Sequence, residues 1–113
     1  MRSVSSVLQM DVAVARSEQA AGALLLDVRE QDEWDAGHAP GALHIPMSEL
    51  QERFVELPDA DVTLVICRSG HRSDVVAAAL ARIGRPGCAN VAGGMQAWAG
   101  AGLPVEPAGG RVL

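Results

Sequence analysis

The sequence has no lysine, few aromatic residues and only two cysteines. All nine basic residues are arginines, and aromatic residues make up 3% of the chain, so the core must consist mainly of Val, Leu, Ile and Ala. Two cysteines are too few for the disulfide scaffold of a short secreted protein. No segment approaches a membrane span, and no uninterrupted apolar stretch of a signal peptide precedes Asp11. We therefore expect the mature protein to be this whole chain, in a reducing cytoplasm.

Length and charge limit the possible functions further. A chain of 113 residues fits one domain, and 49% hydrophobic with 20% charged residues is ordinary for a globular protein. The net charge of -5 argues against nucleic acid or an anionic membrane as the general partner. Any site that binds an anion must therefore be local. Three scattered histidines and two cysteines form no metal constellation, so neither a metal nor another cofactor is predicted.

Short apolar segments alternate with helical patterns along the chain. This alternation predicts an α/β fold, with a parallel sheet covered by helices on both faces. In such sheets, ligands bind at the carboxyl ends of the strands. We predict one domain over residues 1–113, with a core of about 7–104 and a loose tail at 105–113. Strands are predicted at 24–28, 42–45, 62–66 and 88–91, and helices at 11–21, 31–35, 74–83 and 94–98, with a further helix around Leu50 and Phe54.

The segment after the predicted strand 62–66 carries the clearest chemical signal. Cys67 is followed within five residues by Arg68, Gly70, His71 and Arg72. A helix start supplies unpaired N–H groups, and a glycine allows the loop to curl its amides around the sulfur. Together with the positive charges, these groups should lower the pKa of Cys67 below the ordinary thiol value of about 8.5 and so favour the thiolate. A thiolate is a nucleophile, and the same donors would stabilise a persulfide.

Four segments of this chain resemble the rhodanese family. They occur in the family's order between residues 24 and 104, where Ala39 and His44 replace the Ile and Asn that the family often has. The resemblance implies a single domain with a five-stranded, mainly parallel sheet and a catalytic loop above it. The matching segments are LLLDVREQDEW (24–34), GHAPGALHIP (37–46), CRSGHRS (67–73) and GGMQAW (93–98).

The resemblance also implies a reaction. Cys67 would attack the outer sulfur of thiosulfate or of another sulfane donor such as a polysulfide, and would release sulfite in the first case. Cyanide, a cellular thiol or a protein acceptor would then take the sulfur from the persulfide. The related phosphatases have five residues between the cysteine and an arginine, whereas here Arg72 follows after four and Ser73 takes the sixth position. The smaller ring suits a sulfur atom better than a phosphoryl group.

Several assignments in the site have structural alternatives. Arg68 and Arg72 suit a dianion such as thiosulfate, but each could instead pair with the acidic segment 30–35 or be solvated. His71 could contact the substrate or be exposed and idle. Arg29 could help to bind the anion, as its counterpart does in family members, or pair with Asp27 to brace the loop, and the two roles are compatible. The predicted site therefore has Cys67 as the catalytic residue, Arg29, Arg68, Ser69, Gly70, His71, Arg72 and Ser73 as substrate-binding residues, and Asp27 in support.

Two other functions remain open from the sequence. The chain could be a persulfide carrier or a regulatory binding domain within a sulfur-transfer assembly, without free turnover of thiosulfate. It could also be a thiol redox switch, which would require Cys88 to form a disulfide with Cys67. Cys88 lies in an apolar segment, where a cysteine usually serves as a small buried hydrophobic residue.

Overall fold

The computed structural model describes residues 7–113 and contains a five-stranded sheet. All of its strands run parallel, in the order β1-β5-β4-β2-β3. This confirms the predicted α/β class. The strands are β1 (Leu8–Met10), β2 (Leu24–Asp27), β3 (Leu43–His44), β4 (Thr63–Ile66) and β5 (Cys88–Val91). The helices are α1 (Val12–Ala20), α2 (Gln31–Ala36), α3 (Leu50–Arg53), α4 (His71–Arg82) and α5 (Gly94–Gly100), with 3-10 turns at Met47–Glu49 and Phe54–Glu56.

The two faces of the sheet form two hydrophobic clusters. Successive side chains of a strand point to opposite faces, so Leu25 and Leu64 pack with helices α1 and α5. Leu26 and Val65, their neighbours in sequence, pack with α3 and α4 on the other face. All four side chains are at most 1% exposed, which explains the continuous apolar segments of the central strands. No helix in residues 7–113 is long and apolar enough to cross a membrane.

Two elements differ from the sequence prediction. Strand β1 was not predicted, because three residues are too few to show a periodic pattern. It pairs with β5 at the edge of the sheet, with Leu8 opposite Ala89 and Met10 opposite Val91. Helix α4 begins at His71, three residues before the predicted start at residue 74. The loop after Cys67 is therefore only three residues long, and the rest of the predicted loop forms the first turn of a helix.

The prediction of a loose tail at 105–113 is wrong, because this segment packs along α2 and reaches the Cys67 loop. The backbones of His38 and Glu106 exchange two hydrogen bonds of 2.8 Å. The Arg111 amide donates to the Ala36 carbonyl oxygen at 2.8 Å. These backbone contacts are made by residues whose side chains give no periodic signal, which explains why the sequence did not predict them.

Candidate functional site

Cys67 is the first residue after β4, at the carboxyl end of the central strands. The β4 strand lies between β2 and β5 in the sheet, so loops from three neighbouring strands can meet there. The side chain of Cys67 is only 1% exposed. Its sulfur therefore lies at the bottom of the loop rather than on the surface. A reaction partner can therefore reach the sulfur only with a narrow, protruding group.

Donor groups converge on the Cys67 sulfur from the loop and from the start of α4. The Gly70 amide lies 3.2 Å from Sγ and the Ser73 amide 3.4 Å. The Ser73 hydroxyl oxygen lies 3.1 Å from the same atom. Gly70 precedes α4 with φ 103°, a left-handed conformation that favours glycine. The amide of Ser73 belongs to the first turn of α4, where N–H groups have no partner within the helix and are free to bind an anion.

Helix α5 holds the loop in this conformation from the opposite side. The Met95 amide donates to the Cys67 carbonyl oxygen at 2.8 Å, and the Gln96 amide donates to that of Arg68 at 3.0 Å. These bonds keep the loop carbonyls turned toward α5, away from the sulfur. A Cβ atom on Gly94 would overlap the Cys67 carbonyl oxygen. Gly94 therefore allows close contact between α5 and the Cys67 loop.

These contacts set the ionisation of Cys67. Burial raises the pKa of the thiol, but hydrogen bonds from the Ser73 hydroxyl and from the amides of Ser73, Gly70 and Ser69 lower it by more. The net pKa lies below the ordinary value. For Cys88, burial raises the pKa and Arg85 offsets only part of that effect. The two cysteines thus differ in reactivity, because the thiolate is the nucleophilic form.

Asn90 also contributes to the site, although no motif in the sequence pointed to it. Its side chain, on β5, is 3% exposed. Its Nδ2 donates to the Gly70 carbonyl oxygen at 3.1 Å and to Gln9 Oε1 at 2.8 Å, and its Oδ1 accepts a bond from Ser73 Oγ at 2.6 Å. A polar residue within an otherwise apolar strand was the available signal, because a buried amide requires partners.

Arg29 forms the structural pair with Asp27 that the sequence suggested, and an additional role in binding the anion stays a prediction. Both side chains are fully buried. Arg29 Nε and one terminal nitrogen donate to the Asp27 carboxylate at 2.8–3.1 Å. The remaining contacts go to the carbonyl oxygens of Glu33 and Gly37, at 3.3 and 2.8 Å. Arg29 therefore fixes α2 and the turn after it to the end of β2.

Arg72 forms a bidentate ion pair with Glu33. This is the salt bridge to the acidic segment 30–35 that the sequence left open as an alternative to binding a dianion. Both N–O distances are 2.8 Å. The hydrogen bond from Arg72 lowers the pKa of Glu33 to about 2, although burial opposes this effect. The pKa of Arg72 is raised, first by Glu33 and further by the negative charge of Cys67. Glu33 largely neutralises the charge of Arg72, which limits what this charge can contribute to a thiolate at Cys67.

The other predicted loop residues lie at the mouth of the site. The side chains of Arg68, Ser69 and His71 are exposed. Arg68 Nε donates to the Leu113 carbonyl oxygen at 2.6 Å, so the C-terminal segment holds part of its guanidinium. His71 borders an open pocket of about 220 Å³ together with Gln9, Gly70, Asp74, Val75 and Asn90.

The strand register separates the two cysteines. Cys88 lies opposite Thr63 at the amino end of β4, whereas Cys67 follows the carboxyl end. Four residues of strand correspond to about 13 Å at roughly 3.3 Å per residue. A disulfide requires Cα atoms within about 7 Å. Both cysteines are free, and the redox switch that requires this bond is incompatible with the fold.

The sequence matches the family model of the Rhodanese-like domain over residues 11–101. This chain belongs to the rhodanese-like family. A solved structure of a rhodanese-related protein from Thermoplasma volcanium superposes with a TM-score of 0.78 and 33% identity, over 87% of this chain and 96% of that one. Both findings confirm the family resemblance and the fold that it implied.

Several curated relatives of this rhodanese-like domain have names that refer to sulfur chemistry. The putative sulfur carrier protein YrkF of Bacillus subtilis is 41% identical over 67% of this chain, but the match covers only 41% of that protein. The thiosulfate sulfurtransferase GlpE of Actinobacillus succinogenes is 37% identical over 81% of this chain and 83% of its own length. The chain thus spans about two fifths of one relative and most of the other.

Proposed function

We propose that the protein is a sulfurtransferase that holds sulfane sulfur as a persulfide on Cys67. The observation that supports this most strongly is the convergence of donors within 3.1–3.4 Å of the Cys67 sulfur itself. A ring that closes on the sulfur atom favours chemistry at that atom. A phosphatase would instead need its donors around a phosphoryl group above the cysteine.

The proposed reaction has two displacement steps. In the first, the Cys67 thiolate attacks the outer sulfur of thiosulfate and forms a new S–S bond. The bond between that sulfur and the sulfonate group breaks, and its electron pair leaves with sulfite. In the second, an acceptor thiolate or cyanide attacks the terminal sulfur of the persulfide. The S–S bond to Cys67 then breaks, and the enzyme thiolate is regenerated.

Thiosulfate and polysulfides are the two donor classes that we propose. Arg68 and His71 lie exposed at the mouth of the loop, where positive charge attracts an anion. Arg72 adds less attraction than its charge alone would suggest, because Glu33 neutralises it. The relative named a thiosulfate sulfurtransferase supports thiosulfate as the first donor to test.

The decisive experiment is intact-mass analysis after exposure to thiosulfate or, separately, to polysulfide. We expect one added sulfur atom on the wild type, removable by cyanide or dithiothreitol, and none on Cys67→Ser. Cys88→Ser is the matched control and should load like the wild type, because Cys88 lies at the other end of the strands. A wild-type protein that gains no sulfur from either donor would exclude the proposal.

A persulfide carrier is the second candidate, supported by the name of the relative from Bacillus subtilis. A carrier and an enzyme share the loaded Cys67 and differ in turnover. Steady-state transfer from thiosulfate to cyanide would identify the enzyme. Loading that requires a persulfidated protein donor, with no turnover of free thiosulfate, would identify the carrier.

A further inference from the structure

The hydroxyl of Ser73 has one proton and two acceptors within reach. Its oxygen lies 3.1 Å from Cys67 Sγ and 2.6 Å from Asn90 Oδ1. A hydroxyl can donate to only one of them at a time. The direction of this single proton therefore decides whether Ser73 stabilises the thiolate or leaves it without that bond.

Three surrounding groups fix the orientation of the Asn90 amide. The Gly70 carbonyl oxygen can only accept, so the Asn90 atom 3.1 Å from it must be Nδ2. Gln9 Oε1 accepts a second bond from the same nitrogen. Gln9 is itself oriented by the Asp74 carboxylate, which accepts from its Nε2 at 2.8 Å. Asn90 Oδ1 consequently faces Ser73 and requires a donor.

If the Ser73 proton turned toward Cys67, Ser73 Oγ and Asn90 Oδ1 would face each other at 2.6 Å without a proton between them. Two acceptor oxygens at that distance repel. With the proton toward Asn90, Ser73 Oγ presents a lone pair to the sulfur, an arrangement that suits a thiol S–H. Donation to the thiolate thus always breaks a short hydrogen bond to Asn90.

We propose that Asn90 is a positioning residue for the nucleophile: its carbonyl competes with Cys67 for the single Ser73 proton and limits the stabilisation that the thiolate receives. This inference rests on the proposed function only in assigning Cys67 as the nucleophile. The benefit follows from thiol chemistry, because intrinsic nucleophilicity falls as the pKa falls and an attacking thiol works best with a pKa near ambient pH. Without this competition, the Ser73 hydroxyl would donate fully to the thiolate, in addition to the loop amides, and the pKa would be lower.

A test of the Cys67 pKa must leave the charged groups near the sulfur unchanged. Arg72 and Asp74 lie on α4, His71 is exposed at its first position, and Asp27 lies at the end of β2, where Arg29 neutralises it. Substitutions at Asn90 and Ser73 change none of these charges. They therefore isolate the hydrogen bond.

The test is the pH profile of Cys67 alkylation by iodoacetamide in a double-mutant cycle of Asn90→Ala and Ser73→Ala. All proteins carry Cys88→Ser, so that only Cys67 reacts. We expect Asn90→Ala alone to lower the Cys67 pKa by about one unit, since a bond to a charged group becomes uncontested. In the Ser73→Ala background, Asn90→Ala should produce no decrease. Gln9→Met should leave the profile near that of the parent, because Gly70 still orients Asn90.

The sign of the shift separates this role from a structural one. If Asn90 only supported the loop, its loss would loosen the amides and raise the pKa in both backgrounds. An unchanged or raised pKa in Asn90→Ala, or an equal decrease in both backgrounds, overturns the proposal. Asn90→Leu, which keeps the branched shape of the side chain without its polar groups, replaces Asn90→Ala if thermal unfolding shows that variant to be unfolded.

Ser73→Ala alone gives an independent reading. A hydrogen bond from Ser73 that Asn90 contests stabilises the thiolate less than an uncontested one. We therefore expect the pKa of Cys67 to rise by less than about one unit, and a larger rise contradicts the competition. These assays contain no sulfur donor. Their failure is therefore distinguishable from failure of sulfur transfer.

Discussion

The ion pair of Arg29 and Asp27 separates a structural role from substrate binding, and Arg29→Leu is the perturbation that tests it. Both side chains are fully buried, and the Asp27 carboxylate accepts bonds from the Arg29 side chain and from its backbone amide. After the substitution, the Asp27 carboxylate stays buried, and its one remaining donor from residue 29 is the backbone amide. It also removes the bonds to the Glu33 and Gly37 carbonyl oxygens that hold α2 in place.

The expected loss is large for a domain of this size. Removing one partner of a buried ion pair costs about 3–5 kcal/mol. For a domain of about 110 residues, 1 kcal/mol shifts Tm by roughly 4 °C, so Arg29→Leu should lower Tm by roughly 12–20 °C. The double variant Arg29→Leu/Asp27→Leu should recover part of this loss, because an apolar pair avoids the uncompensated charge.

Thermal unfolding followed by circular dichroism measures this effect. Arg53→Ala is the matched control, since Arg53 pairs with Glu49 and Glu56 on the surface, and surface pairs contribute little to stability. If Arg29 instead bound the anion, its loss would raise KM for thiosulfate and leave Tm close to that of the control. That outcome would refute the structural assignment.

Further predictions concern the charges and the packing around Cys67. Arg72→Ala should raise the Cys67 pKa in an alkylation titration and Glu33→Gln should lower it, because Glu33 neutralises the charge that Arg72 presents to the thiolate; unchanged profiles would show that Arg72 does not act on Cys67. Folding lowers the pKa of Glu33 from 4.5 to about 2, so its pairing stabilises the fold above pH 4.5, and this stabilisation is lost as the pH falls through 2. The free energy of unfolding of Glu33→Gln, measured with urea, should therefore fall less steeply than that of the wild type as the pH decreases through this range. Parallel curves of stability against pH would contradict the pairing. Gly94→Ala should push α5 off the loop, lowering Tm and raising the Cys67 pKa; wild-type values for both would show that the loop does not depend on this contact.

Local patterns in the sequence were sufficient for the central part of the fold. The apolar segments that became β2, β4 and β5 are buried strands of a parallel sheet, and their sequence signal is continuous. Cys67 could be assigned because a strand end, a glycine and several basic residues are adjacent in the chain. The edge strand β1 and the packing of residues 105–113 were beyond such reasoning, since both depend on partners remote in sequence.

The sequence by itself identified Cys67 as the candidate nucleophile, the loop that carries it and the family to which the chain belongs. Only the tertiary structure decided what each charged or polar side chain contacts. Arg72 follows Cys67 closely in the chain and Arg29 follows the neighbouring strand β2, yet their charges are satisfied by Glu33 and Asp27. For Arg72 the physical reason is that a guanidinium binds the nearest carboxylate, and the packing of α2 and α4 against the sheet brings Glu33 to it from 39 residues away in the chain. Asn90 entered the site in the same way, 17 residues away from Ser73 in the chain and 2.6 Å away in space.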